Sequence, residues 1–313
     1  LLCHLQPAAA QVMTSLPAPL DPLQTTAPQA PYTAGPTRRF LRRFFHQPLA
    51  VVATTIFVIL VLSSIFAPLI ATYSPTALDL SAVNKPPSSA HWFGTDDLGR
   101  DLFSRMVFGA RITLVAPFIA VTVGVLLGVP IGMVAGFRGG VIDALASRVS
   151  DALQALPAII VALAILAARG SSTFNAMVAV GLAFAPRLFR IARATTMSVR
   201  HEIFIDASRV AGASDGRLVF SHVLPNIAPA LIVQSTILLG VGVLAEAALS
   251  FLGIGVQPPT ATWGVLLRRG FDNLHVSSIQ STIPGVAITL LILSFQFIGQ
   301  GLSDSLGKEI RRG

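Results

Sequence analysis

Residues 112–137 read ITLVAPFIAVTVGVLLGVPIGMVAGF and contain no Asp, Glu, Lys or Arg over 26 consecutive positions. A helix needs about 20 apolar residues to cross the hydrocarbon core of a bilayer, so this segment is long enough to span it. The whole chain of 313 residues is 53% hydrophobic and only 12% charged, whereas an ordinary soluble domain has roughly 25% charged residues. The sequence therefore predicts an all-α integral membrane protein and argues against a soluble enzyme.

Five further apolar segments accompany this one. The six predicted spans lie at 51–70, within 112–137, within 152–168, within 172–188, at about 227–252 and near 283–302. Gly181 and Pro186 weaken the fourth span, and the fifth contains one carboxylate, Glu246. Membrane helices tolerate Gly and Pro where neighbouring helices satisfy the freed backbone groups, so all six segments are retained as spans.

The Lys and Arg residues are distributed unevenly between the predicted loops. If the N-terminus is cytoplasmic, 15 of the 22 basic residues lie inside and seven lie outside. Basic residues concentrate on the cytoplasmic side of membrane proteins, so both termini are predicted inside. The same rule explains the formal charge of +8 better than nucleic-acid binding does. This topology makes 191–222 the longest internal loop and 71–110 the longest external one.

The chain divides into four segments. Residues 1–37 are rich in Pro and Ala and are predicted to form a disordered tail, because this composition cannot bury enough apolar surface to offset the entropy of ordering. Residues 38–110 hold the first span and the external loop, residues 111–305 form the transmembrane core with the internal loop, and residues 306–313 form a cytoplasmic tail. The single Cys, Cys3, lies in the first segment, which excludes a disulfide framework within the chain and a Cys-based metal site.

The polar residues form no recognisable catalytic motif. None of the six His residues lies inside a predicted span or belongs to an H-E-x-x-H pair. A phosphate-binding loop is also missing, since Gly307 and Lys308 are followed by Glu309 where Ser or Thr is required. We therefore expect a chain that is not an enzyme, holds no metal and does not itself hydrolyse ATP.

Glycines in the second span recur every four residues, at Gly128, Gly132 and Gly136. This spacing places a smooth groove on one helix face, which permits close approach of another helix. Packing within the chain is the favoured interpretation, and a contact with another subunit is the alternative.

The internal segment 201–226, HEIFIDASRVAGASDGRLVFSHVLPN, combines charged and apolar residues. Residues 202–211 can form a short helix with Ala207, Ser208 and Ala211 closely spaced, and Gly212 suits its C-terminal turn. A short helix with small residues, held outside the membrane, fits the groove of a partner. A surface loop without a partner remains the alternative at this point.

The same segment carries a resemblance to a known family. Asp206-Ala207-Ser208, three residues, Gly212, nine residues and then His222-Val223-Leu224-Pro225 resemble the Glu-Ala-Ala signature of ABC-importer permeases. Asp206 replaces the Glu, Ser208 replaces the second Ala, and His222 stands where Ile is usual. Residues 91–111 and 244–264 also resemble blocks of the C-type subunits of the dipeptide/oligopeptide/nickel subgroup. The similarity covers about 40–310.

The resemblance implies a type I import permease in a bacterial plasma membrane. It implies a homologous second permease, two cytoplasmic P-loop ATPases and an external substrate-binding protein as partners, with the lipid bilayer around it. ATP and Mg would be held by the ATPases and no cofactor by this chain. The residues implied to couple the chain to the ATPases are Asp206, Ala207, Ser208, Arg209, Gly212 and Ala213, with His222, Leu224 and Pro225 at the end of the loop. Peptides are the expected substrates; a nickel or glutathione importer of the same family, an ion-coupled secondary carrier and a structural membrane scaffold are the alternatives.

Charged and aromatic residues near the outer face admit two interpretations each. Glu246 is either a pathway carboxylate, as buried charges in membranes often are, or a structural group paired with an Arg or with the backbone; the structural role is favoured. Alternating charges before the second span predict a self-paired surface helix, with contact to the binding protein as the alternative. These charges are Asp96, Asp97, Arg100, Asp101, Arg105 and Arg111. Tyr73, Trp92 and Trp263 are expected to anchor the outer membrane border.

Overall fold

The computed structural model describes residues 36–310, with side chains from 40 to 306, and contains only helices and connecting segments within that range. The predicted disordered tail therefore lies outside the described residues, apart from its last two positions. The helices are α1 Pro36–Phe45, α2 Pro48–Ile65, α3 Ala67–Ile70, α4 Leu102–Arg138, α5 Gly140–Ala155, α6 Ala158–Arg169, α7 Thr173–Val199, α8 Ile203–Val210, α9 Asp215–Arg217, α10 Leu224–Phe251, α11 Trp263–Asp272 and α12 Ile279–Ile310. A 3₁₀ turn at Leu80–Ala82 and a π-helical segment at Leu218–Val223 complete the regular structure.

Five of these helices are long and apolar enough to cross a membrane, namely α2, α4, α7, α10 extended back to Asp215, and α12 as far as Leu306. A sixth span exists if α5 and α6, which are bent by 87° relative to each other, count as one. A continuous third span within 152–168 is therefore wrong. Pro157 lacks a backbone N–H and disfavours the helical conformation of the residue before it, so the helix breaks between Ala155 and Ala158.

The observed helices extend beyond several predicted limits. The second span begins ten residues before 112, at Leu102, where Asp101 caps the helix by accepting a hydrogen bond from the backbone N–H of Ser104 at 2.8 Å. The first predicted span is interrupted at Phe66, between α2 and α3. At the other end of the chain, α12 runs to Ile310, so helix continues into the segment that was predicted to be a tail.

Helix α7 continues to Val199 and so extends into the predicted internal loop 191–222, and most of the remaining residues of that segment are also helical. The last turns of α7 carry arginines that pair with α5. Arg193 makes a two-pronged ion pair with Asp143, and Arg190 contacts Asp151 at 2.8 Å. These arginines therefore lie on a helix, where they join two elements of the bundle.

The core of the bundle is the contact between α4 and α7, and it depends on glycines. A Cβ atom on Gly132 would lie 2.8 Å from Cβ of Ala192, and one on Gly136 would lie 2.9 Å from Cβ of Thr196. Gly128 is similarly close to the backbone of Ala185 and Phe189. The glycine groove thus packs within the chain, as the favoured interpretation predicted, because only residues without a side chain let the two backbones approach this closely.

Candidate functional site

The short helix α8, Ile203–Val210, is attached to the rest of the protein mainly through one buried side chain. Ile205 is fully buried and belongs to the same apolar core as Val219 and Val223 of the π-helical segment. The prediction of a helix over 202–211 is confirmed. Because only one face is held, the other side of α8 is presented to the surroundings.

The C-terminal end of α8 is a Schellman turn built around Gly212. The N–H of Gly212 donates to the carbonyl of Arg209 at 3.0 Å, and the N–H of Ala213 donates to the carbonyl of Ser208 at 3.1 Å. Gly212 has a φ of +85°, and a Cβ there would meet nothing within 4 Å. Glycine is required here for its backbone conformation and not for space.

The free face of α8 exposes large apolar side chains. Ile203 is 85% exposed and Val210 is 90% exposed. Asp206 and Arg209 form an exposed ion pair at 3.4 Å beside them, and Ala207 is also exposed. Ser208 is half-buried, and its hydroxyl donates to the carbonyl of Phe204 at 2.8 Å. Exposed apolar side chains rimmed by charges are typical of a protein-binding surface.

The surroundings of α8 connect it to the ends of two long helices. The Nη1 atom of Arg200, just before α8, donates to the carbonyl of Gly136 at 2.9 Å, near the end of α4. The guanidinium of Arg209 lies 5.9 Å from the ring centre of Phe137. A displacement of α8 would therefore act on α4 directly.

On its other side α8 leads into α10 through the π-helical segment. The rings of Phe204 and His222 lie 6.5 Å apart, and the His222 carbonyl accepts a hydrogen bond from Asn226 at 2.7 Å. Pro225 lies in the first turn of α10, where its missing N–H leaves no extra backbone group unsatisfied. The predicted end of the loop is thus the start of a long helix. π-helical segments occur frequently at functional sites.

The charges before α4 form a buried ion cluster, so a surface helix at this position is wrong. Asp96, Arg100, Asp101 and Arg105 are almost completely buried, and only Asp97 of the predicted binding-protein contacts is partly exposed. These residues except Arg105 precede α4. Contact with a binding protein stays a prediction, and Asp97 is the member of the set whose side chain is accessible to such a partner.

Asp96 is the centre of this cluster. Its carboxylate contacts the guanidinium of Arg100 at 2.7 Å and that of Arg105 at 3.5 Å. Asp97 contacts Arg269 of α11 at 3.0 Å, across 172 residues of sequence. Nothing in the sequence pattern predicts that Asp97 pairs with Arg269, because this pairing depends on the position of α11 in the fold.

Hydrogen bonds fix the rest of the segment that was predicted to be external. The Asp101 carboxylate contacts Nδ1 of His91 at 3.0 Å, in addition to capping α4. Asp79 accepts hydrogen bonds from the hydroxyl and the N–H of Ser81 at 2.6 and 2.9 Å, and these bonds lower the pKa of the Asp79 carboxyl. Arg111 instead donates to the carbonyl of Ser64 at 2.7 Å, which joins α4 to the end of α2.

Glu246 is 1% exposed and lies between three helices. The hydroxyl of Ser250, one turn later in α10, donates to Oε1 of Glu246 at 2.8 Å, and the hydroxyls of Thr113 and Thr262 lie beside the same carboxyl. Among the described residues no Arg pairs with it. At Oε1 the hydroxyl of Ser250 takes the place of the expected Arg or backbone partner, whereas Oε2 has no hydrogen-bond partner among the described residues. The structural role and the pathway role of Glu246 both stay predictions.

Two of the three aromatic residues expected at the membrane border are exposed, and the third is not. Tyr73 and Trp92 are exposed, while Trp263 is almost fully buried at the start of α11. Trp263 donates its Nε1 hydrogen to the carbonyl of Met106 at 2.9 Å. The anchor role of Trp263 is wrong because its indole fills the core between α4 and α11.

Across the described residues no group of three or more His, Cys, Asp or Glu side chains is placed to hold a metal ion.

Comparisons with known proteins identify the sequence over most of its length. A family model described as binding-protein-dependent transport system inner membrane component matches residues 128–312. A second model, the N-terminal transmembrane domain of oligopeptide transport permease C, matches residues 35–87. The first match contains α8 and the whole π-helical segment.

Curated relatives and a solved structure agree with these matches. A dipeptide transport system permease protein of Alkalihalophilus pseudofirmus is 39% identical over 296 residues, covering 93% of this chain and 97% of the relative. A glutathione transport system permease protein of Escherichia coli O1:K1 / APEC is 39% identical over 277 residues, covering 88% of this chain and 91% of the relative. A chain of the inward-facing MetNI methionine ABC transporter has a TM-score of 0.53 at 20% identity, covering 64% of this chain and 94% of that one, and it shares the fold.

Proposed function

The chain belongs to the family of binding-protein-dependent transport system inner membrane components, and we propose that it is the subunit that forms half of a translocation pathway for peptides. It is a multi-pass permease of a bacterial plasma membrane, and the family selects the ABC importer over the secondary carrier. The 39% identity to a dipeptide permease and to a glutathione permease supports small peptides, glutathione included, as the substrate class.

In the proposed assembly the chain pairs with a homologous permease, and two cytoplasmic ATPases bind ATP and Mg. An external binding protein delivers the substrate. In this proposal α5 and α6 together form one of six spans, so that both termini lie on the same side of the membrane, which we assign to the cytoplasm. The distribution of Lys and Arg supports this orientation, because it puts 15 of the 22 inside. It also puts α8 on the side of the ATPases and the Asp96 cluster on the side of the binding protein.

The coupling role rests on the exposed apolar face of α8. Ile203 and Val210 are directed away from the bundle, while Ile205 fixes the helix to it. We assign Asp206, Ala207, Ser208, Arg209, Gly212 and Ala213 to the docking helix, with His222, Leu224 and Pro225 at the junction to α10. Closure of the ATPase pair would push α8, and the contacts of Arg200 with α4 and of the π-helical segment with α10 would tilt these spans. Binding of ATP to the ATPases and of the loaded binding protein to the permease then shifts the equilibrium between two conformational states of the transporter.

Docking is tested by co-purification of the full assembly with Val210→Asp. Val210 makes little contact within its own chain, so the substitution removes a partner contact without opening a cavity. Leu80→Asp is the matched control, because Leu80 is 78% exposed on the other proposed side of the membrane. We expect the ATPases to co-purify with the control and to be lost with Val210→Asp. Equal recovery from both variants would contradict docking through α8.

The substrate is tested separately, in vesicles that contain the complete transporter and its binding protein. We expect ATP-dependent uptake of a labelled dipeptide. Unlabelled dipeptide or glutathione should reduce this uptake, and nickel should not. Nickel uptake without peptide uptake would overturn the substrate class while leaving the docking of α8 intact.

A further inference from the structure

The first helix, α1, precedes the first span and has two chemically different sides. At about 100° per residue, the residues Phe40, Leu41, Phe44 and Phe45 fall within one arc of about 140°. Arg42, Arg43 and His46 fall on the opposite arc. A helix of this pattern lies in the plane of a membrane surface and not across it.

Half of the apolar arc is fixed to the protein. Phe44 is buried, and a Cβ on Gly301 of α12 would lie 2.9 Å from its Cε2 atom. Phe40 stacks on Phe44 with ring centres 6.3 Å apart. The contact with Gly301 fixes the position of α1 beside the end of α12.

The other half of the apolar arc is free. Phe45 is 61% exposed and Leu41 is also exposed. Leu49 and Val52 at the start of α2 continue this exposed apolar surface toward the span. Few residues of α2 are buried, so the exposed side of α2 faces lipid and the free half of α1 is continuous with that lipid-facing surface.

The basic arc has no acidic partner among the described residues. Neither Arg42 nor Arg43 pairs with a carboxylate among the described residues. The Nη1 atom of Arg43 is shielded from solvent and has no hydrogen-bond acceptor within that same part of the chain. The main chain turns at this point, where the Arg42 carbonyl contacts Nδ1 of His46 at 2.6 Å.

From these contacts we infer that α1 is an interfacial helix that binds anionic lipid headgroups through Arg42 and Arg43. Phe45 and Leu41 insert among the acyl chains beside α2, and Phe44 holds the helix against Gly301. The lipid phosphates bind the exposed Arg42 and those nitrogens of Arg43 that are not shielded, and they supply a negative charge that no carboxylate among the described residues provides to either side chain. Each basic side chain near an anionic leaflet contributes attraction that salt weakens. This inference is independent of the coupling role of α8 and of the substrate.

The test uses the full chain in nanodiscs without any partner subunit, so that no ATPase contributes to the signal. Phe45→Trp places an indole at the exposed apolar position, and bromine-labelled acyl chains report its insertion by quenching. The nanodiscs contain phosphatidylcholine alone or increasing proportions of phosphatidylglycerol. We expect quenching to rise with phosphatidylglycerol and to fall at high salt.

Replacing both arginines, Arg42→Gln with Arg43→Gln, should weaken the apparent affinity for phosphatidylglycerol about thirtyfold. Arg138→Gln with Arg148→Gln is the matched control, since it removes the same charge from exposed positions outside α1. The control should titrate like the parent. Quenching that is the same in phosphatidylcholine alone, or a double variant that behaves like the control, would overturn the inference. The emission of the buried indole of Trp263 should be unchanged in the double variant and in the control, which would verify that both chains are folded.

Discussion

Nε1 of Trp263 donates a hydrogen bond to the backbone carbonyl of Met106 across 157 residues of sequence, at 2.9 Å. The backbone N–H of Trp263 also donates to the hydroxyl of Thr113, at 3.2 Å. These two bonds fix the start of α11 against α4. They also place Thr262, the N-cap of α11, beside the carboxyl of Glu246. One indole therefore organises the contact between α4 and α11.

Trp263→Phe should lower the stability of the purified chain. The substitution keeps most of the apolar volume but removes the donor to Met106, and a lost buried hydrogen bond costs about 1–3 kcal/mol. The measurement is the apparent melting temperature in detergent. Trp92→Phe is the control, because Trp92 is exposed and should leave the melting temperature unchanged. Equal effects of the two variants would contradict the role assigned to Trp263.

Gly132→Ala should separate α4 from α7. The added methyl group would lie 2.8 Å from Cβ of Ala192, so the helices must move apart, and overpacking of this kind costs about 1–3 kcal/mol. Gly216→Ala adds the same group where nothing lies within 4 Å. Thermal unfolding should therefore occur at a lower temperature for Gly132→Ala than for Gly216→Ala. The opposite order would refute the packing argument.

Asp96→Asn and Asp97→Asn should differ although the residues are neighbours. Asp96 is buried between Arg100 and Arg105, so its neutralisation removes the shortest carboxylate contact of two buried cations and costs about 3–5 kcal/mol. Asp97 and Arg269 are partly exposed, and breaking their pair costs about 0.2–1 kcal/mol. Limited proteolysis of the external segment 71–101 should be faster in Asp96→Asn alone.

A transport defect restricted to Asp97→Asn, without a change in proteolysis, would instead identify Asp97 as a contact of the binding protein.

Glu246→Gln should retain transport, whereas Glu246→Ala should lose folded protein. Gln keeps the volume and accepts the hydrogen bond from Ser250, while Ala opens a cavity between three helices. The measurements are transport rate over a range of substrate concentrations and yield of monodisperse protein. A folded Glu246→Gln chain with strongly reduced transport would favour the pathway role.

Gly212→Val should separate ATP hydrolysis from transport. A β-branched residue at a φ of +85° is strained by about 1–3 kcal/mol, which distorts the Schellman turn that ends α8. Transport in the reconstituted assembly should fall about tenfold or more while ATP is still hydrolysed. Gly216→Val is the matched control, because it places valine at a nearby glycine whose φ is not positive. Normal transport by Gly212→Val would refute the assignment of the coupling turn.

A second substitution tests the same helix for fit to a partner. Ala207→Arg adds a long charged side chain at an exposed position, so the chain itself should fold normally. We expect the ATPases to bind more weakly, which quantitative co-purification would show. Unchanged binding would argue against insertion of α8 into a groove at Ala207.

The sequence was sufficient wherever the signal was local. The uncharged run 112–137 predicted a span, the residues around Asp206 and Gly212 predicted a short helix with a glycine turn, and the Gly spacing predicted a close helix contact; the structure contains all three. The sequence failed where the outcome depended on distant elements. The charges around Asp96 were predicted to lie on a surface helix because their burial is not visible in the local pattern, and the pairing of Asp97 with Arg269 joins residues that are remote in sequence. Trp263 was predicted to be a membrane anchor because its acceptor, Met106, is remote too.

The amino-acid sequence by itself determined that this chain is a helical membrane protein, because hydrophobic length is a property of contiguous residues and the bilayer acts on each segment separately. The resemblance of its motifs to those of ABC-importer permeases supplied the family. Only the tertiary structure decided which polar groups are buried. Asp96, Glu246 and Trp263 could each have faced water or lipid by their position along the chain. Their burial depends on how the segments pack: Asp96 is paired with Arg100 and Arg105, Trp263 of α11 donates to Met106 of α4, and Glu246 accepts a hydrogen bond from Ser250.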